Sequence, residues 1–127
     1  MMNKFEIFEK EVIENILKIS DNEFASKILE QYKNSTILNR VFTGVGFYTY
    51  FQLNDKSLLL GNDVNLRFWN IHAEINGLKH GAGFMLEIIN GVVSNLEGYS
   101  YGDDGWPKKV KKYKLFSVNK DGSLTEI

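Results

Sequence analysis

Gly83-Phe84-Met85-Leu86-Glu87-Ile88-Ile89-Asn90-Gly91-Val92-Val93-Ser94-Asn95-Leu96-Glu97-Gly98-Tyr99-Ser100-Tyr101 decides the fold. Two apolar-rich runs, 83–89 and 92–101, meet at Asn90-Gly91. A two-residue turn that follows the twist of paired strands needs positive φ at both central positions, and Asn-Gly adopts it at least cost. The stretch therefore predicts an antiparallel hairpin. Upstream, Val45, Phe47, Thr49, Phe51 and Leu53 fall on one face of a second run, with Gly46, Tyr48, Tyr50 and Gln52 on the other. Residues 66–75 alternate again, placing Arg67, Trp69, Ile71, Ala73 and Ile75 to one side. Asn54-Asp55-Lys56 reads as a turn, and a last strand over 112–118 ends at Asn119-Lys120-Asp121-Gly122. The period alone does not choose the buried face, because Tyr48, Tyr50, Tyr99 and Tyr101 suit either side.

Before residue 34 the period is helical. Phe5, Phe8, Val12, Ile16 and Ile19 recur at spacings of three and four, which puts them on one face of a helix. Glu6, Glu9, Lys10, Glu14 and Lys18 are expected in solvent. Ser20-Asp21-Asn22-Glu23 matches a capping box for a second helix that turns Phe24, Ile28, Leu29 and Tyr32 inward. Helices followed by a run of strands predict an α+β fold. Two N-terminal helices, within about 4–33, pack on one face of a mostly antiparallel sheet of about five or six strands. No linker, low-complexity tract or repeat divides residues 1–127, so one domain is expected.

The 127 residues are 43% hydrophobic and 24% charged, which excludes wholesale disorder. No apolar run approaches the length of a membrane span, and no signal-peptide core is recognisable, so a cytoplasmic location is expected. The sequon Asn34-Ser35-Thr36 then carries no meaning. With no cysteine, disulfides, thiol nucleophiles and thiolate metal sites are excluded. The net charge of -1 neither draws nor strongly repels nucleic acid.

Few residues offer chemistry. His72 sits in an alternating strand and His80 in a loop, and neither has the short-spaced partner of a metal-ligand motif, so no metal or cofactor is expected. Thr43-Gly44-Val45-Gly46 and Gly81-Ala82-Gly83 lead into strands. Phosphate loops lead into helices, so these glycines read as bulges or close strand approaches. Lys108, Lys109, Lys111, Lys112 and Lys114 suggest a basic patch, but Glu97, Asp103 and Asp104 precede it and would repel phosphate. The richest segment is residues 96–107, where Tyr99, Tyr101 and Trp106 stand among acids and glycines. Tyrosine and tryptophan give large, rigid contact area and concentrate at binding hot spots. Glu97, Tyr99, Tyr101, Asp103, Asp104 and Trp106 are the candidate partner-binding residues.

Three stretches also resemble a family of small, largely uncharacterised bacterial proteins. They are Arg40-Val41-Phe42-Thr43-Gly44-Val45-Gly46-Phe47-Tyr48-Thr49-Tyr50-Phe51, Gly81-Ala82-Gly83-Phe84-Met85-Leu86, and Leu96-Glu97-Gly98-Tyr99-Ser100-Tyr101-Gly102 followed by Trp106-Pro107. Together they cover roughly a third of the chain. Asp103-Asp104-Gly105 is a slight expansion of the usual acidic pair. The family is similar in character to immunity proteins encoded beside polymorphic toxins, including those of contact-dependent inhibition systems. The resemblance implies a non-enzymatic protein that binds one cognate toxin domain; were that toxin a nuclease, Glu97, Asp103 and Asp104 would occupy its basic site. It supplies no catalytic residue.

Two other readings stay open. A small-molecule hydrolase would pair His72 or His80 with Glu97 or Glu74, and a pocket joining them would favour it. A nucleic-acid-binding sheet would need one contiguous basic face free of Asp103 and Asp104. A homodimer through an exposed strand edge is left open by the sequence.

Overall fold

The computed structural model describes residues 2–127. Helices α1 (Lys4–Ile19) and α2 (Ala25–Lys33) precede strands β1 (Ser35–Phe42), β2 (Gly46–Leu53), β3 (Leu66–Phe68) and β4 (Ile71–Ile75). Strands β5 (Ala82–Ile89), β6 (Val92–Ser100), β7 (Tyr113–Val118) and β8 (Leu124–Glu126) complete the chain. They form one antiparallel sheet in the order β1-β2-β6-β5-β4-β7-β8, with β3 paired to β5 beside β4. The fold is α+β as expected, but with eight strands rather than five or six. Two of the additions are the edge strands β1 and β8. The third arises because 66–75 is broken at Trp69-Asn70, and the break shifts the phase by one residue. Phe68 is buried along with Ile71, Ala73 and Ile75, while Trp69 is 60% exposed. The single alternation expected over 66–75 is therefore wrong.

The β5–β6 hairpin follows from its turn, with Asn90 at φ 52° and Gly91 at φ 79°. Behind it, Gln31 of α2 is fully buried and fully satisfied. Its Nε2 donates to the carbonyls of Leu58 and Gly91 at 2.9 Å, and its Oε1 accepts from the Val93 N–H at 2.8 Å. A buried amide left unpaired is costly, so these three bonds pin α2 to one hairpin geometry.

The helices cover one face of the sheet. Phe8, Val12, Ile13 and Ile16 of α1 and Ile28 of α2 bury completely in one cluster with Phe47, Phe84, Leu86 and Leu96 from the strands. Each such side chain contributes about 2–3 kcal/mol of hydrophobic stabilisation. Three helical expectations need correction. Ile19 is 39% exposed, and Ile13 and Leu17 take the inward positions instead. Glu9 is buried rather than solvated, because the strand beneath it offers ion-pair and hydroxyl partners. Its Oε1 accepts from Arg40 Nη2 of β1 at 2.9 Å and its Oε2 from the Thr49 hydroxyl of β2 at 2.5 Å. The capping box does not form. Ser20 ends α1 and donates to the Ile16 carbonyl at 2.5 Å, while Asn22 accepts from the Phe24 N–H at 2.8 Å and α2 begins at Ala25.

A tyrosine-rich open sheet face as candidate site

Burial of Phe47, Thr49 and Phe51 against the helices turns Tyr48, Tyr50 and Gln52 to the opposite face of β2, which no helix covers. Cross-strand register builds three rows on that open face. The first runs Val41, Tyr48, Glu97, Met85. The second runs Gly46, Tyr99, Gly83, His72, Phe116. The third runs Asn39, Tyr50, Asn95, Glu87, Arg67. Directly opposed residues share a face, so each row is a line of side chains in mutual reach.

The rings are held in place rather than loose. Tyr48 and Tyr50 stack at 6.1 Å and 12°. Tyr99 meets Tyr101 edge-on at 5.6 Å, and Tyr101 lies parallel to the His72 ring at 5.7 Å and 11°. His72 also packs on Phe116 at 5.9 Å. A Cβ on residue 83 would come within 2.5 Å of Tyr101 Oη and 2.8 Å of the Tyr99 ring. Glycine at that position thus lets both tyrosines lie down across the sheet. The hydroxyl of Tyr48 donates to Glu97 Oε2 at 2.9 Å. Glu87 accepts from Arg67 Nε at 3.0 Å and from Asn95 Nδ2 at 3.1 Å.

Electrostatics follow from these contacts. The hydrogen bond to Glu97, then its charge, holds the Tyr48 phenol above its usual range. Partial burial, reinforced by Tyr101, pushes Tyr99 up to about 12. Hydrogen bonds from Asn95 and Arg67 hold the Glu87 carboxyl below its ordinary value. Burial lowers His72, with Glu74 opposing, so its imidazole is neutral at pH 7. The face therefore sets the Glu87 and Glu97 carboxylates among tyrosine hydroxyls.

The six residues singled out by sequence do not form one cluster. Glu97 and Tyr99 lie on the open face, and Tyr101, just past β6, folds onto it. Asp103 is exposed in the following loop. Asp104 clasps that loop, accepting from the Lys79 N–H through Oδ2 at 2.8 Å and from the Ser100 hydroxyl through its carbonyl at 2.7 Å. Trp106 is on the helix side, with its ring 5.2 Å from Phe47 and packed against the core. The sequence reading missed Tyr48, Tyr50, Met85, His72 and Phe116 as members of the face. The alternation that puts Tyr48 and Tyr50 together was legible, but not that their side stays uncovered.

Next to the open face lies a cleft of about 620 Å³ lined by His72, Glu74, Lys79, His80, Lys112 and Lys114. It brings both histidines near Glu74, yet among the described residues no hydrogen bond joins either imidazole to Glu74 or Glu97. Lys108, Lys109 and Lys111 line a different cleft, with Lys4 and Phe5. The lysine run is thus divided between two places. Among the described residues no three His, Asp or Glu side chains converge as metal ligands, and no helix is long and apolar enough to cross a membrane.

At one margin of the sheet, β1 exposes Ile37, Leu38, Val41 and Phe42 along eight residues of edge. The opposite margin, β8, is three residues long. Comparison of the chain with family models, with curated proteins and with solved structures finds no match.

Proposed function

We propose that the chain is an immunity-type binding protein whose open tyrosine face docks a cognate bacterial toxin domain in the cytoplasm. The observation that carries this reading is the uncovered array of Tyr48, Tyr50, Tyr99 and Tyr101, fixed by stacking, by Gly83 and by Glu97. Tyrosines already locked in place lose little entropy on binding, which is why such arrays serve as protein-recognition surfaces. Glu87 and Glu97, set among the hydroxyls, suit a basic toxin surface such as a nuclease active site. The sequence resemblance to immunity proteins points the same way. Trp106 supports the platform from behind rather than touching the partner.

The test is co-expression of the tagged chain with the product of the neighbouring reading frame. A stoichiometric complex that loses its partner on Tyr50→Ala/Tyr101→Ala substitution is expected. A clean monomer would overturn the reading, and a homodimer through β1 would replace the partner with a second copy.

The hydrolase alternative draws on the cleft that gathers His72, His80 and Glu74. A general base needs an orienting hydrogen bond and a substrate in reach, and among the described residues neither imidazole has the first. Turnover lost in both His72→Gln and Glu74→Gln would favour it.

A further inference from the structure

We propose that the cleft between β4, the turn at 76–81 and the start of β7 binds the phosphate group of a small phosphorylated molecule. This inference does not rest on the toxin-binding reading; the cleft adjoins the open face and shares His72 with it. Lys79, Lys112 and Lys114 bring three ammonium groups to the cleft, against one lining carboxylate, Glu74. Glu74 stands opposite Lys114 in the β4–β7 register and Asp104 sits at the Lys79 backbone, so three lysines face two nearby carboxylates and Lys112 has none opposite it. Among the described residues, the ion pairs are Arg40–Glu9 and Arg67–Glu87, so none of these lysines has a carboxylate within 4.0 Å. In a chain of net charge -1, such a local excess of cations is not a general property of the surface.

The walls are built, not incidental. The Asn76 N–H donates to the Lys112 carbonyl at 3.1 Å, and the Tyr101 N–H donates to the Gly81 carbonyl at 3.0 Å. Asp104 holds the Lys79 N–H at 2.8 Å. Gly81 adopts φ +77°, and a Cβ there would stand 2.7 Å from the His72 ring. Glycine at 81 is therefore what admits the imidazole to the cleft. His72 and His80 add ring N–H donors, and Tyr113 on the cleft wall offers an aromatic surface for the rest of the ligand.

Size and charge layout favour a small ligand over a nucleic-acid strand. About 620 Å³ matches a metabolite-sized site. A strand would need a continuing basic track, but Lys108, Lys109 and Lys111 open onto the other cleft.

The test uses the whole chain and inorganic pyrophosphate, followed by calorimetry and by NMR of the histidine rings. The expected result is saturable binding that shifts His72 and His80. Each lysine removed in Lys112→Gln/Lys114→Gln should weaken it about tenfold, as for a charged hydrogen bond. Lys108→Gln/Lys109→Gln should leave it unchanged. Absence of saturation, or equal weakening in both variants, would overturn the proposal. So would a single-stranded oligonucleotide that binds more tightly than pyrophosphate and is released by Lys108→Gln/Lys109→Gln. The Tyr50→Ala variant should bind pyrophosphate normally, which separates this result from any failure of toxin docking.

Discussion

Thr49 and Tyr50 are neighbours in β2, yet they belong to surfaces with different tasks. On the helix side, Thr49 is fully buried and spends its hydroxyl on Glu9, whose other oxygen takes Arg40. On the open side, Tyr50 is 36% exposed, and its ring stacks on Tyr48 with no element above it. Both faces are aromatic. The helix side meshes Phe8 with Phe84 at 5.7 Å and Phe5 with Phe47 at 4.9 Å. Aromatic density alone therefore does not mark a core. On the helix side even the rings with a polar atom, Tyr32, Tyr113 and Trp106, pack against buried phenylalanines, whereas the open-side tyrosine hydroxyls can remain with water or a partner.

The largest effect that would break this contrast is on the helix side. Phe84→Ala should cost about 4 kcal/mol by chemical denaturation, as full burial and a residual cavity demand. A loss below about 1 kcal/mol would mean that this face is not the core. Glu9→Ala should cost about 3 kcal/mol, because it strands the Arg40 guanidinium beside Phe5.

The Glu9 link also has a pH signature. Burial is the leading cause that raises the Glu9 carboxyl above its ordinary 4.5, outweighing Thr49 and Arg40. Its folded value lies above its unfolded one. The associated stabilisation is then complete below about 4.5 and is lost as pH rises through the folded value. That slope should vanish in Glu9→Gln, and an unchanged slope would contradict the assignment.

On the open side the expected stability effects are smaller. Tyr50→Ala should change unfolding free energy by no more than about 1 kcal/mol, because no cavity forms in a core. Smallest of all is His72. Burial lowers its pKa below the ordinary 6.5, so its stabilising balance holds above 6.5 and is lost as pH falls through the folded value. A fluorescence melt series from pH 7 to 5 should show that decline flattened in His72→Gln.

Much of this arrangement is legible in the sequence where local rules dominate. Asn90-Gly91 specifies its hairpin because positive φ is a local demand. The alternation in 45–53 sorts Phe47 from Tyr48 because the period of a strand is two. Where a distant partner decides, the reading fails. Glu9 looks solvated until Arg40 and Thr49 meet it from 31 and 40 residues away. Gln31 gives no local signal of burial, because its three partners lie on a hairpin and a turn formed much later in the chain. Trp106 resembles a binding anchor in sequence, yet it is drawn to Phe47 because its loop crosses to the helix side. The open face itself is an outcome of length, since two helices are enough to cover only one side of an eight-stranded sheet.

The most direct test of the proposed docking face is the dissociation constant between the chain and the product of the neighbouring reading frame, the toxin domain proposed as its partner, measured for Tyr50→Ala/Tyr101→Ala beside the unaltered protein. The account predicts a loss of at least about a thousandfold, two hot-spot tyrosines at about 2 kcal/mol or more each, with the melting temperature nearly unchanged. An affinity within about threefold of the unaltered protein would contradict it and move the docking site off this face.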